Sequence, residues 1–291
     1  MATIDPAQDY DFISTLTFDA ASGTCKIRLY RGSSSAFAGT VYYRNGTSGS
    51  WTTLSVSGTG TTFPVGDTTM QVANDWNKSG DDYMTQSFNS QSTNLTEIAI
   101  SQKAVLSGVI GSHFMYAYAY SCSTLTSLSV PNTSSVTSVG SHFMYAYANI
   151  CSSLTSLSVP DTSSVTSVGD RFMYVYANSC SALTSLSIPD TSSVTSVGSE
   201  FMVFYANDCS ALTRLELPAI GWFASNNVDW SVPAGRLDNI KGYVKNSTDL
   251  TAWQGEVSTG ETLYTNYIRS TSDVVLEPDY NPAFAQRRLL I

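Results

Sequence analysis

Charged side chains are scarce in this chain, since Asp, Glu, Lys and Arg together make up 13% of its 291 residues. An average soluble protein carries about 25%. The 14 basic residues are outnumbered by 23 acidic ones, which gives a formal net charge of −9. Because nucleic acids and anionic membranes are bound through clusters of Lys and Arg, we expect neither as a partner. No stretch approaches the roughly 20 apolar residues that span a bilayer, so we expect no membrane insertion.

Serine and threonine take the place of the missing charges and occupy roughly a quarter of all positions. The hydrophobic fraction of 42% is ordinary, and aromatic residues reach 12%. A chain with this many aromatic residues at regular spacing can bury a core, which argues against disorder.

A period of 29 residues organises the middle of the chain. It is marked by four cysteines, at Cys122, Cys151, Cys180 and Cys209, and each is followed by a pattern of the form L-T-x-L-x-Φ-P, in which Φ is Val, Ile or Leu. A fixed period of this length is typical of a solenoid, whose coils bury a shared core only when they stack. Because equivalent residues then lie above one another, we predict an inward, structural ladder of reduced cysteines. A disulfide between neighbouring coils stays the alternative.

Each coil is predicted to hold a short inward-facing strand that a proline ends, because proline cannot donate to a ladder. An Asn or Asp then begins a turn in three copies, at Asn132, Asp161 and Asp190. We predict that these side chains cap the turn by accepting backbone N–H bonds, with calcium binding as the alternative.

The second half of each coil contains a glycine and an aromatic segment. The glycines, for which we predict a positive φ, are Gly140, Gly169 and Gly198. In the aromatic segment, Phe143, Tyr147 and Cys151 are spaced at i, i+4 and i+8, which predicts one face of a short helix.

This repeat resembles the BspA-like leucine-rich repeats, whose units read C-x-x-L-x-x-L-x-I-P, then V-x-x-I-G, then a phenylalanine. The matching stretch here is residues 151–160, followed by residues 165–169 and Phe172. The resemblance covers about residues 93–245, and the copies here are several residues longer than the usual unit. It implies a curved solenoid for adhesion or recognition, found in bacterial surface proteins and phage structural proteins, and it implies no catalytic residues.

Four regions follow from these patterns, in an α+β fold. Residues 1–66 alternate apolar and polar positions around an Asn45-Gly46 turn, which predicts a small antiparallel, immunoglobulin-like β-sandwich. Residues 67–92 are predicted to connect it to the leucine-rich-repeat solenoid at 93–245. Residues 246–291 are predicted to form a C-terminal cap and an assembly tail, which ends in the apolar Leu289, Leu290 and Ile291.

The outward strand positions of the coils are predicted to form a neutral hydroxyl face, comprising Thr126, Ser129, Thr155, Ser158, Thr184 and Ser187. A second candidate binding row is Tyr116, Tyr145 and Tyr174, because tyrosine combines rigid apolar area with a polar tip. Such surfaces suit glycan binding, subunit packing or the ordering of water at ice. The alternative is a soluble surface without a ligand.

Residues for catalysis are few. The two histidines, His113 and His142, share one repeat position, which Arg171 and Glu200 occupy in other copies. A Ser–His–acid triad needs one histidine held by a carboxylate, and zinc needs clustered His or Cys ligands. We therefore predict no enzyme activity, no metal site and no cofactor.

The function that we predict is that of a non-enzymatic virion structural protein: a phage fibre, a capsid decoration or a tail component. The chain begins without the features of a secretory signal peptide, so we expect a virion location or a piece of a longer protein. The expected partners are other virion or surface-layer subunits, in a homo-oligomer, and a host cell-surface glycan or protein. A module of a secreted bacterial surface adhesin is the alternative, and an ice-binding solenoid is a remote one.

Overall fold

The computed structural model describes residues 12–31, 38–74, 84–89, 94–102, 106–217, 240–258 and 271–277. The strands of its N-terminal part are β1 (Phe12–Phe18), β2 (Thr24–Arg31), β3 (Gly39–Asn45), β4 (Thr52–Val56), β5 (Thr61–Pro64), β6 (Thr69–Asn74) and β7 (Met84–Asn89). Those of the coils are β8 (Leu95–Gln102), β9 (Ser107–Ile110), β10 (Ala119–Tyr120), β11 (Ser127–Leu128), β12 (Ser135–Val139), β13 (Ser156–Leu157), β14 (Ser167–Val168), β15 (Ser185–Ser187), β16 (Ser196–Val197) and β17 (Arg214–Glu216). The last elements are β18 (Lys241–Val244), helix α1 (Ser247–Ser258), a 3-10 turn (Thr271–Asp273) and β19 (Val274–Leu276).

The described residues are mostly β, with α1 as their only α-helix, so the expected α+β class is not confirmed. What the structure does show is a β-solenoid of about five turns with the predicted 29-residue spacing. In this part of the chain, no helix is long and apolar enough to cross a membrane.

The N-terminal strands form two sheets with a shared core. Strand β1 alternates buried and half-buried positions along its whole length, as a strand with one covered face should. It pairs with β6 and β8, while β3 and β4 form the antiparallel hairpin that Asn45-Gly46 predicts. In the second sheet, β2 lies between β5 and β7. Strands β6 and β7 belong to residues 67–92, the predicted connecting segment, so this segment is part of both sheets.

Both N-terminal sheets continue into the solenoid. Strand β8 pairs antiparallel with β1 on one edge and parallel with β11 on the other, and β10 adds a parallel strand to β7. A buried hydrogen bond of 2.7 Å between the hydroxyls of Ser14 and Tyr118 joins the same two parts. The N-terminal strands therefore cover the first coil and share one hydrophobic core with the stack.

The coils stack in register on two strand-bearing sides, so residues 29 positions apart lie side by side. On the first side Leu128 pairs with Leu157, and on the second side Val139 pairs with Val168. Leu125 and Leu154 lie inward and are fully buried. The leucine and valine positions of the repeat are thus core ladders, as the sequence predicts.

The third side, which carries the aromatic segment, is not a helix, so the helix prediction is wrong. Its backbone alternates in handedness: His142, Met144 and Ala146 all have φ between 50° and 61°. This alternation turns N–H groups away from their own coil. Ala146 donates to Tyr174 O in the next coil at 2.9 Å, and Met144 donates to Phe114 O in the previous coil at 2.8 Å. Left-handed geometry costs about 1 kcal/mol or more per residue, and bonding between coils offsets it.

The recurring glycine of each coil does not adopt a positive φ, so this prediction is also wrong. A Cβ on Gly169 would lie 2.4 Å from Ser141 N and 2.6 Å from Gly140 C in the preceding coil. Gly140 and Gly198 are similarly close to the backbone of their neighbours. Glycine is required here because two coils approach each other at the corner.

The C-terminal elements extend the first side of the stack. Strand β18 adds in parallel to β17, and β19 adds in parallel to β18. Helix α1 begins at an Asn246 cap, whose Oδ1 accepts the Asp249 N–H at 2.8 Å. Its Trp253 is buried. The predicted assembly tail, Leu289, Leu290 and Ile291, lies outside the described residues.

Candidate functional site

The threonines of the first side form an exposed row, and two of its three members already use their hydroxyl protons. Thr126 Oγ1 donates to Thr96 O at 2.9 Å, and Thr155 Oγ1 donates to Thr126 O at 3.1 Å. Thr184, the next member, is exposed as well. At Thr126 and Thr155 the row therefore presents methyl groups and acceptor oxygens, because these two hydroxyls bond to the preceding coil.

The serines of this face have mixed surroundings. Ser129 Oγ accepts the Ile100 N–H at 2.9 Å, and Ser187 Oγ donates to Glu216 Oε2 at 2.9 Å. Ser158 is exposed. The hydroxyl face ends where Arg214 pairs with Glu277 and lies 3.8 Å from the centre of the Tyr243 ring.

A second threonine row, which sequence analysis did not single out, runs along the second side. Thr166 Oγ1 donates to Thr137 O and Thr195 Oγ1 donates to Thr166 O, both at 3.1 Å. The recurring S-V-T-S-V segment was the signal that could have identified it. The two rows share the same bonding between coils.

The predicted Asx turns are confirmed. The Oδ1 atoms of Asn132, Asp161 and Asp190 each accept a backbone N–H two residues on, at 3.0, 3.0 and 2.9 Å. This bonding accounts for the residues without an ion. Among the described residues, no group of three His, Cys, Asp or Glu side chains is arranged to hold a metal.

The four repeat cysteines are buried and free, as is Cys25. Each repeat thiol donates to a backbone carbonyl: Cys151 Sγ lies 2.8 Å from Ala119 O, and Cys180 Sγ lies 3.0 Å from Ala148 O. Burial raises the pKa of the Cys151 thiol well above its usual range. These are the properties of inert structural thiols.

Two tyrosine rows run along the third side, one inside and one outside. In the inner row, Tyr118, Tyr147, Tyr176 and Tyr205 are buried and stacked at 5.3–5.4 Å between ring centres. Their hydroxyls are all bonded: Tyr176 donates to Ser158 O at 2.6 Å and Tyr205 to Ser187 O at 2.7 Å. Burial raises the pKa of Tyr176 well above its ordinary value.

The outer tyrosine row consists of Tyr116, Tyr145 and Tyr174, all half-buried. Their rings stack at 5.0 and 5.1 Å with interplanar angles of 9° and 2°. Tyr30 closes one end at 5.3 Å from Tyr116, and Phe204 meets the edge of Tyr174 at the other end. Within the described residues, the three hydroxyls of the outer row make no hydrogen bond. Burial, and then the neighbouring tyrosines, raise the pKa of Tyr116 and Tyr145.

A polar row, His113, His142, Arg171 and Glu200, lies beside the outer tyrosines. The two imidazoles stack at 4.4 Å, Arg171 Nη1 lies 3.4 Å from His142 Nε2, and Arg171 pairs with Glu200. Burial, followed by the Arg171 charge, lowers the pKa of His142. The side-chain partner of His142 is thus a cation, whereas a catalytic triad would hold the ring with a carboxylate.

Comparisons of this chain with protein-family models, curated proteins and solved structures found no match. The site is therefore defined by its own geometry: an outer row of stacked phenols, whose hydroxyls make no hydrogen bond to the part of the chain that the structure describes, and a polar row along three to four coils.

Proposed function

We propose that this chain is a non-enzymatic structural protein of a virion, such as a phage fibre, capsid decoration or tail component. In this role its solenoid provides a stiff surface for host contact or subunit assembly. The observation that carries the proposal is the regular stacking of the coils. The outer tyrosine row repeats at a fixed pitch along the solenoid, and two N-terminal sheets cover the first coil. A repeated surface of this kind suits multivalent contact better than a single reaction.

The proposal includes two structural labels, a BspA-like leucine-rich repeat for the coils and a β-sandwich for the N-terminal strands. The BspA-like leucine-rich repeat rests on the C-x-x-L-x-x-L motif, and the β-sandwich on two sheets that share a core. The third side differs from the predicted helix, so the finer label is supported by the strand and corner motifs alone. A bacterial surface adhesin is the alternative role that the same resemblance supports.

Labelling of intact particles tests the proposed location. An antibody raised against the full chain should decorate purified virions in electron micrographs at regular sites. Light scattering coupled to size exclusion should show a defined homo-oligomer. Label confined to the bacterial cell surface would favour the adhesin, and a stable monomer with no label on particles would contradict the virion proposal.

Ice binding stays a remote candidate because both threonine rows are regular and exposed. Its test is thermal hysteresis of the full chain before and after Thr155→Tyr and Thr184→Tyr. An ice-binding face should lose its activity when tyrosines interrupt the row. Equal readings for the two proteins would remove this candidate.

A further inference from the structure

We propose that the outer tyrosine row, with the polar row beside it, binds an extended, uncharged, β-linked glycan that runs parallel to the solenoid axis. This inference rests on the proposed function, because it names the chemistry of the host surface that the solenoid would contact.

The hydrogen-bonding capacity of the third side is concentrated in the outer row. The hydroxyls of the inner tyrosines are already hydrogen-bonded within the protein; for example, Tyr176 OH donates to Ser158 O at 2.6 Å. On the two strand sides, four threonine hydroxyls donate to carbonyl groups of neighbouring coils: those of Thr126, Thr155, Thr166 and Thr195. Among the described residues, Tyr116, Tyr145 and Tyr174 keep hydroxyls that can both donate to and accept from a ligand.

The ring geometry excludes ligands that need an open aromatic face. Each ring of the outer row is covered by the next at 5.0–5.1 Å, so only edges and hydroxyls face outward. Single-stranded nucleic acids bind by stacking bases on exposed rings and by charge, and this chain has a net charge of −9. A polymer rich in hydroxyl groups can use the exposed edges instead.

The pitch distinguishes a glycan from a peptide. Equivalent side chains of an extended peptide recur at about 6.6 Å, twice the rise per residue, and would drift out of register with a 5.0–5.1 Å row. A helical peptide has a pitch of about 5.4 Å, close to that of the row, but with about 3.6 residues per turn its side chains on successive turns are offset around the helix axis. One sugar residue of an extended β-1,4-linked chain advances by nearly the coil pitch, so each tyrosine meets one sugar residue. Because successive sugars face opposite ways, the hydroxyls that point at the row differ between neighbouring tyrosines.

The charge of the polar row favours an uncharged glycan. Arg171, the cation in the row, is paired with Glu200. His142 faces Arg171, so an added positive charge on its ring is disfavoured. The two rows thus offer two histidines, an ion pair and phenols as hydrogen-bonding groups, without the excess positive charge that an acidic polysaccharide would need.

Calorimetric titration of the full chain tests this inference. The probes are linear β-1,4-linked hexasaccharides of glucose and of N-acetylglucosamine, with the matching disaccharides for comparison. We expect a hexasaccharide to bind more tightly than its disaccharide, because it meets all three tyrosines. Changing Tyr116, Tyr145 and Tyr174 to Phe should weaken binding by about fivefold for each hydroxyl removed. Tyr42→Phe on β3 is the matched control, because it removes a phenol hydroxyl from the N-terminal sheet, and it should leave binding unchanged.

Two results would overturn the inference: no binding of either hexasaccharide, or binding that the three Tyr→Phe changes leave intact. Circular dichroism of the triple variant guards against a folding defect, since phenylalanine preserves the stack. Antibody labelling of virions tests the proposed function independently of glycan binding. A particle that is labelled while the glycans fail to bind refutes the glycan and keeps the virion role.

Discussion

At the residue scale, tyrosine occupies two positions in each coil and its hydroxyl has a different role at each. Tyr176 lies in the core and donates to Ser158 O, whereas Tyr174, two residues earlier, carries a hydroxyl without a partner among the described residues. The sequence separates the two positions, because the spacing of Phe143, Tyr147 and Cys151 predicts an inward Tyr147 and leaves Tyr145 for the outer row. An alternating backbone, and not the predicted helix, places Tyr147 inside and leaves Tyr145 half-buried.

Tyr176→Phe should therefore destabilise the fold by about 1–2 kcal/mol, because it leaves the Ser158 carbonyl without its donor. The matched change Tyr174→Phe should alter the unfolding free energy by about 0.5 kcal/mol or less. Urea unfolding followed by circular dichroism measures both. Equal changes in the unfolding free energy of the two variants would show that the bond from Tyr176 to Ser158 O does not contribute to stability.

His142 makes stability depend on pH. Its neighbours are His113, Arg171, Asp170, Glu200 and Tyr145, and burial and the Arg171 charge lower its pKa in the folded state. The unfolded chain then binds the proton more readily than the folded chain. The stability due to neutral His142 is complete above about pH 6.5 and is lost as the pH falls through the lower folded-state value.

His142→Gln should reduce the loss of stability between about pH 7.5 and about pH 5. Urea midpoints of the variant and the wild type at both pH values measure this. Hydrogen bonds from Ser199 lower the pKa of Asp170, which moves the titration of this carboxyl away from the window. Parallel curves for the two proteins would rule out His142 as a source of the pH dependence.

At the element scale, the corner glycine and the aromatic segment show where sequence reasoning falls short. The pattern of Phe143, Tyr147 and Cys151 fits a helix, and all three are buried as predicted. The segment is nevertheless an alternating chain, because its N–H groups bond to the coils above and below. Such bonds depend on neighbours 29 residues away, which the spacing within one segment does not reveal.

Gly169→Ala should destabilise the protein by about 1–3 kcal/mol, because the added methyl group would press on the Ser141 and Gly140 backbone. Gly255→Ala is the matched control. It lies in helix α1, where an added Cβ would have no atom within 4 Å, so alanine should stabilise by up to about 1 kcal/mol. Thermal unfolding of the two variants distinguishes the expected loss of stability in Gly169→Ala from the expected gain in Gly255→Ala. A neutral Gly169→Ala would show that the coils can separate at this corner without loss.

At the scale of the whole molecule, the repeat predicts the solenoid, and long-range pairing determines how its ends are covered. The L-x-x-L ladders and the 29-residue register follow from identical residues that must stack. The pairing of β8 with β1 cannot be predicted from the repeat, because either edge of a short strand can accept a partner. For this reason residues 67–92 could be predicted as a connector although they supply β6 and β7.

A solenoid held together by contacts between neighbouring coils should tolerate the loss of one complete coil. Deleting residues 142–170 removes 29 residues and joins Ser141 to Arg171, the residue that replaces His142 in the next copy. Strand β11 can then pair with β15 in the register that it has with β13, and the leucine and valine ladders become continuous across the junction. We expect cooperative unfolding with a lower stability and a smaller m-value, because less surface is exposed on unfolding.

Deleting residues 142–155 is the control, since it removes half a coil and places strands against the wrong sides. This shorter deletion should give no cooperative transition, although it removes fewer residues. Urea unfolding and circular dichroism measure both variants. If the 29-residue deletion also fails to fold, stability must depend on contacts beyond neighbouring coils, and the additive description of the stack would be wrong.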